Sequence, residues 1–425
     1  MTHMLNPEQG EPVLLKELKD VGYKVWWGGK NDLIPGETAP EAVCTIRHDP
    51  RKSTLPFYGP DRSWRGDPED DGYYSFYVGK IEKGSHSHYH DSDWEYVEAA
   101  CDLIRNHDGD QPLCIYLPLV YPHPPYGVED PWYSAITPEQ LPPRKSQSRC
   151  GEPSILKGIR EGQRLGDWEE ARWTRLRAVY YGMCARVDHQ FNLILEALKD
   201  AGLYDDTAAF FFSDHGDFTG DYGLVEKTQN TFEDCLVNVP FLIKPPKGEA
   251  CQPRVSDALV ELVDFTATVY DYAGITPDYD HFGRSLRSLV AGETDEHRDA
   301  VFAEGGRLFC ESQAMELSGT SASNEDGLYW PRLRLQVSDE QPWHTKAVMC
   351  RTKTAKYVYR DRENDELYDL VKDPDELNNR IDDPSMLELK ETLRERMLKW
   401  TVETADIVPH KIDQRQLAPT ARQSP

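Results

Sequence analysis

The sequence predicts an α/β fold, a mostly parallel sheet flanked by helices, with a small C-terminal antiparallel sheet plus helix. Three observations predict it. Helix-periodic stretches and short apolar stretches alternate from residue 12 to residue 274. Polar loops rich in Gly, Pro and Asp follow the apolar stretches, as at the carboxyl ends of strands in open α/β sheets. Beyond residue 300 the pattern changes to short strands separated by turn signals.

Taken in order, PVLLKELKDVG (12–22) has helical spacing and ends on Gly22, a natural C-cap. YKVWW (23–27) reads as a strand leading into GGKND. Residues 36–90 read as a long irregular surface insertion. DWEYVEAACDLIRNH (93–107) reads as a helix, LCIYLPLVY (113–121) as a buried strand, and 122–170 as loop. A long helix is expected over about 168–201, a fully apolar strand over 208–213, another over 238–246, and a helix over 259–274. The expected division is a main α/β domain over 1–299, a small α+β subdomain over 300–410, and a disordered tail over 411–425.

Lys plus Arg number 48 and Asp plus Glu 74, giving a formal net charge of −26. That field repels nucleic acid and anionic membrane surfaces. It also repels a free anion at long range, so any anion site has to be built locally. The nine cysteines are scattered with no C-x-x-C pair, which reads as mostly buried thiols rather than a disulfide framework. No stretch has the roughly 18 apolar residues of a membrane span. Residues 1–22 show no signal-peptide core, so a cytoplasmic chain is expected if the N-terminus is genuine.

Chemistry concentrates in three loops. SDHGDFTGDYGLVEK (213–227) places Asp214 and His215 at the end of the FFFS strand. A carboxylate and a neutral imidazole can hold a divalent cation, and Lys227, after a glycine-rich return, can hold an anionic oxygen. A bare turn with a capping Asp and a surface His is the plainer reading. Lys30 follows the glycines of WWGGKND, and His123 sits in PHPPY. Each also has a plainer reading, a solvated lysine or a proline-braced loop. HSHYHDSD (86–93) carries three alternate histidines that could take up zinc, although a solvated loop with Asp91 or Ser92 capping the next helix explains it as well. Trp26, Trp27, Tyr126, Trp132 and Tyr133 could stack on a substrate ring or simply pack.

The run from Val187 to Pro246, with V-D in its helix, then a strand, S-D-H-G, a loop to Lys227 and V-P before the next strand, resembles the sulfatase family of the alkaline-phosphatase superfamily. GYKVWWGGKND resembles that family's G-Y-x-T-x-x-x-G-K-W-H segment, with Asn31-Asp32 in place of Trp-His. PHPPY resembles its P-H-x-P-Y loop, and DELYDLVKDPDELNN its closing segment. The resemblance runs in order from about residue 12 to 405. It implies that Asp214 and His215 ligate a divalent metal, usually Ca2+. It implies that Lys30, His123 and Lys227 contact the sulfate group, with His123 as general acid for the leaving oxygen. The implied substrate is a small sulfated sugar or aryl ester, and the implied reaction is sulfate monoester hydrolysis. A phosphonate or phosphate ester hydrolase of the same superfamily, or a catalytically inactive binding protein, are the alternatives.

Members of the family attack sulfur with formylglycine made from the first residue of C-x-P-x-R or S-x-P-x-R. CGEPS (150–154), CQPRV (251–255) and QLPPR (140–144) each fail that spacing. The family's early strand ending in two acidic residues is also not found, since EDD (69–71) lies in a Gly/Pro loop. The expectation is that about a hundred family residues are missing ahead of this chain. Weak metal binding, poor solubility and no turnover of a chromogenic aryl sulfate with calcium are then expected for the chain alone.

Overall fold

The computed structural model describes residues 4–50, 63–82, 91–311, 324–338 and 340–406. Helix α1 (Leu14–Asp20) buries Leu15 and Leu18 and stops where Gly22, at φ 100°, turns the chain into β1 (Lys24–Gly28). Strand β2 (Ile46–His48) pairs parallel to β1 on one side. On the other side lies β4 (Leu113–Tyr116), also parallel. Between them in sequence come β3 (Tyr77–Ile81) and α2 (Ser92–Arg105). Strand β5 (Tyr126–Glu129) pairs parallel to β3. The short α3 (Trp132–Ala135) and α4 (Ser154–Gln163) lead to the 31-residue α5 (Glu170–Asp200), whose buried side packs on β5, α2 and α3.

The apolar β6 (Ala209–Phe212) is followed by α6 (Asp234–Val237) and β7 (Phe241–Lys244). Helices α7 (Val263–Ala273) and α8 (Arg287–Ala291) close this part of the chain. The C-terminal part is an antiparallel sheet in the order β11-β10-β9-β8. Its strands are β8 (Val301–Gly305), β9 (Ala347–Arg351), β10 (Ala355–Arg360) and β11 (Glu366–Asp369). Helix α9 (Trp330–Gln336) packs on α4, and α10 (Leu387–Thr404) lies against β9 and β10, with Leu393 and Met397 turned inward.

The fold class is the one expected, an α/β body with a small antiparallel C-terminal sheet. Several local expectations are corrected. Residues 36–90 contain β2 and β3, and 122–170 contain β5 and α4, so neither span is merely loop. Strand β7 runs antiparallel to β6, against the parallel pattern elsewhere in the main body. Only Cys44, Cys101 and Cys350 of the nine thiols are buried; Cys150, Cys251 and Cys310 are exposed. Trp26 and Trp27 are core residues of β1, and Tyr126 is fully buried, so packing accounts for these rings. His86, His88 and His90 lie outside the described residues, as does the 411–425 tail. Asp91 does cap α2, accepting from the Trp94 amide at 3.0 Å. Glu69, Asp70 and Asp71 are exposed, with Asp71 paired to Arg172. No described helix is long and apolar enough to cross a membrane.

A buried ion cluster sits beneath the PHPPY loop. Arg186 of α5 donates to Asp91 at 2.6 Å, lies 3.5 Å from Glu129, and stacks 4.0 Å over the Tyr121 ring. Next to it the Asp93 carboxylate accepts from the Val120 amide at 3.0 Å and the Tyr121 amide at 2.8 Å. Burial and the Asp91 charge push Asp93 up to about 6. These bonds fix the backbone just ahead of His123.

Candidate functional site: a cationic and histidine cluster at three strand ends

Lys30, His123, Asp214, His215 and Lys227 all line one cavity of about 2480 Å³. The loops after β1, β4 and β6 deliver them. The end of β1 is tied to the end of β4 by the Lys30 amide, which donates to Pro118 O at 2.9 Å. A side chain at Gly29, where φ is 137°, would strike that same carbonyl, so the close approach needs glycine.

Two of these side chains, His123 and Lys227, meet directly although 104 residues separate them. The Lys227 ammonium donates to His123 Nε2 at 3.0 Å. His123 Nδ1 in turn donates to Pro124 O at 2.7 Å, which sets the neutral tautomer. Burial, reinforced by the Lys227 charge, holds His123 down at about 4. With no anion bound, the imidazole is therefore an acceptor of the Lys227 bond at neutral pH. A bound anion beside it would oppose that depression. The His215 ring lies 6.3 Å from the His123 ring, centroid to centroid.

The Asp214–Lys227 loop is held by a second network. Asp217 accepts from Tyr126 Oη at 2.7 Å and from the Thr219 amide at 2.8 Å, while the Glu226 amide donates to Tyr126 Oη at 2.9 Å. Tyr126 thus joins both ends of the loop to the PHPPY segment. Glu226, at a left-handed φ of 67°, lies 3.0 Å from Lys227 Nζ and accepts from Arg332 Nε at 3.0 Å. Burial pushes its carboxyl up, but the Arg332 and Lys227 cations outweigh this and bring it to about 2. Its folded value lies below the roughly 4.3 of an unfolded glutamate. The stability it contributes is thus complete above about pH 4.3 and lost as pH falls toward about 2. Between pH 6 and pH 3 the unfolding free energy of Glu226→Gln should accordingly fall less steeply than that of the wild type, as read by urea denaturation. Sequence reasoning missed the Glu226–Arg332 pair because 106 residues separate the two, and Arg332 sits in no motif.

Lys30 stands at the rim. It is half exposed and paired with Asp32 at 2.6 Å, so an anion has to compete with that carboxylate. Asn31, standing where the resembling family has Trp, caps its own turn through the Leu33 and Ile34 amides.

Asp214 and His215 form the candidate metal pair. His215 Nδ1 donates to Gly216 O at 2.8 Å, leaving Nε2 toward Asp214 Oδ2 at 3.6 Å. Asp214 is 78% exposed. Among the described residues no group of three or more His, Cys, Asp or Glu could hold a metal ion. A hard cation such as Ca2+ takes six to eight oxygen ligands. One carboxylate and one imidazole do not fit it. Nor does any Cys or Ser in the sequence sit at the spacing that formylglycine formation needs.

Comparison with known proteins follows the same loops. The sulfatase family model matches residues 3–275. The chain is 26% identical over 330 residues to an arylsulfatase of Clostridium perfringens, covering 74% of this chain and 59% of that protein. It thus spans under two thirds of that relative's length. Among solved structures it resembles a phosphonate monoester hydrolase of Agrobacterium radiobacter (TM-score 0.68, 21% identity, 92% of this chain and 80% of the other). It also resembles BT1596, a 2-O GAG sulfatase (TM-score 0.64, 19% identity, 95% and 76%). These two likenesses carry the fold. With the family model spanning most of the chain, and spanning the loops that carry Lys30, His123 and Lys227, this protein belongs to the sulfatase family.

Proposed function

We propose that this chain carries the anion-gripping side of a sulfate monoester hydrolase, in which Lys30, His123 and Lys227 hold the sulfuryl oxygens. The observation that carries the reading is the 3.0 Å Lys227–His123 contact in the lining of the cavity, with Lys30 close enough for its charge to act on His123. Two ammonium groups and an imidazole around one space suit a tetrahedral oxyanion. Such an anion would take over the Lys227 donor from His123 Nε2. That change favours the protonated imidazole, which can then donate to an ester oxygen.

Asp214 and His215 are proposed as two ligands of a divalent cation whose remaining oxygen ligands come from elsewhere. No chemical step is assigned to that cation, and none to a nucleophile. The substrate class is a small sulfated sugar or aryl ester. A phosphonate ester is the second reading, favoured by the fold likeness to the Agrobacterium enzyme.

Calorimetric titration with sodium sulfate tests the reading. The wild-type chain is expected to bind sulfate, and Lys227→Ala to weaken binding about tenfold to a hundredfold, the equivalent of one charge-assisted hydrogen bond of about 1.5–3 kcal/mol. Equal affinities for the two proteins would overturn it. Parallel titration with methylphosphonate separates the two substrate readings.

A further inference from the structure

Two groups compete for the Lys227 ammonium. Nζ lies 3.0 Å from His123 Nε2 and also 3.0 Å from Glu226 Oε1. Only the contact with His123 is a hydrogen bond, because Glu226 Oε1 is buried without a hydrogen-bond partner. That is the less expected choice. The Glu226 carboxylate is ionised at neutral pH and only 2% exposed. A buried carboxylate strongly favours an ammonium within reach over none.

The other carboxylate oxygen explains the choice. Glu226 Oε2 accepts from Arg332 Nε at 3.0 Å. Arg332 is itself buried and belongs to α9, 106 residues further along the chain. It is braced within that helix, where Nη1 donates to Gln336 Oε1 at 3.0 Å. Gln336 Nε2 in turn donates to Gln229 Oε1 at 3.4 Å, a second tie from α9 to the Lys227 loop. Pro331, Leu333 and Leu335 are buried and α9 packs on α4, so the guanidinium is carried by a fixed element and not by the loop it holds.

We infer that Arg332 is a positioning residue of the anion site: by holding the Glu226 carboxylate it keeps the Lys227 ammonium aligned on His123, with its charge left for an oxyanion in the cavity. An ammonium closed onto a carboxylate is a neutral pair and attracts an anion weakly. An ammonium facing a neutral imidazole presents an uncompensated charge. Arg332 also lines the cavity, so direct contact with the anion is the competing role. The inference rests on the sulfate reading only for what Lys227 grips; the alignment of Lys227 belongs to the free chain.

Calorimetric titration of the whole chain with sodium sulfate at neutral pH separates the roles. Arg332→Met should bind sulfate about tenfold more weakly, as Lys227 turns to Glu226 and its charge-assisted bond to the anion is lost. Glu226→Gln should bind at least as tightly as the wild type. The double variant, Arg332→Met with Glu226→Gln, should return to within about threefold of the wild type, since the rival carboxylate is gone. A double variant as weak as Arg332→Met would overturn the inference, because a merely structural Arg332, or one that grips the anion itself, is not rescued by a second loss. Unchanged affinity in Arg332→Met would also overturn it. So would weaker binding by Glu226→Gln, a result that does not depend on Arg332→Met folding. If the wild type itself binds no sulfate, the sulfate reading fails, and the His123 ring nitrogens of the free proteins decide the inference. The Nε2 resonance in Arg332→Met should then move to where Lys227→Met places it, while Glu226→Gln and the double variant keep the wild-type position. An Nε2 resonance that ignores Arg332→Met, or that moves in the other two, would refute the inference.

Discussion

Arg186→Met is expected to destabilise the chain by about 3–5 kcal/mol at pH 7, the usual cost of stripping the partner from buried charges. Asp91, Asp93 and Glu129 are all essentially inaccessible, and Arg186 is the cation that faces them. Methionine fills much of the volume but leaves three carboxylates in a low-dielectric space. Asp93 already sits at about 6 with the guanidinium in place. Without it, at least one carboxyl should stay protonated above neutrality. A raised folded pKa means that stability is lost as pH rises, so the deficit of the variant should shrink between pH 7 and pH 5. Arg186→Lys keeps the charge but not the fork, and should recover part of the loss. Urea denaturation at the two pH values measures all three proteins. A deficit below about 1 kcal/mol at pH 7 would mean that the cluster is not the buried, dry structure described.

Gly216→Ala should cost about 3 kcal/mol and detach the Asp214–His215 turn, since overpacking against rigid atoms is seldom relieved cheaply. The added carbon would lie 1.9 Å from the Cys235 carbonyl oxygen and 3.1 Å from the Leu236 Cα. Both obstacles are backbone and cannot rotate away. Two bonds hold the segments together there, Gly216 N to Leu236 O at 2.7 Å and Asp217 N to Cys235 O at 3.1 Å, and the substitution has to break or stretch them. Gly202→Ala is the informative control. Gly202 has a left-handed φ of 71° but nothing within 4 Å, so only backbone strain of about 1 kcal/mol is expected. Thermal unfolding of the two variants side by side should separate the clash from the strain. A Gly216→Ala protein as stable as Gly202→Ala would refute the close approach.

The elements most legible in the sequence were those with one dominant local signal. Val25, Trp26 and Trp27 make β1 an apolar run that stops at glycine, and β6 is three phenylalanines in a row. The long periodicity of α5 could be read in the same way. Short strands were not legible. Strand β2 is only Ile46–His48, and β3 has Gly79 and Lys80 in its middle, so neither presents an alternating or continuous apolar pattern. Strand β5, buried at all four residues, contains Gly127 and Glu129, and its glutamate is tolerated only because Arg186 and Trp94 meet it. The reversed direction of β7 is a tertiary outcome that a single stretch of sequence does not carry.

The same division holds at the site. Lys30, His123 and Lys227 stood out because each follows a strand in a loop of unusual composition, and all three do line one cavity. The groups that hold them were invisible. Asp93 reaches the His123 loop from α2, Tyr126 bridges to Asp217 across 91 residues, and Arg332 reaches Glu226 from α9. Each is an ordinary polar residue until the chain folds. The neutral state of His123 in the unliganded site was equally invisible, for an electrostatic reason. Burial and an ammonium 3.0 Å away are not readable from a pKa of the free side chain.

Histidine ring NMR of the whole chain during a sulfate titration tests the convergence of these loops most directly, with His123→Gln and His215→Gln providing the assignments. His123 and His215 should shift together along one saturation curve, while His281 and His344, which do not line the cavity, stay still, and Lys227→Met should abolish both responses. Separate curves for His123 and His215, or a His123 signal indifferent to sulfate, would contradict a single anion-binding pocket.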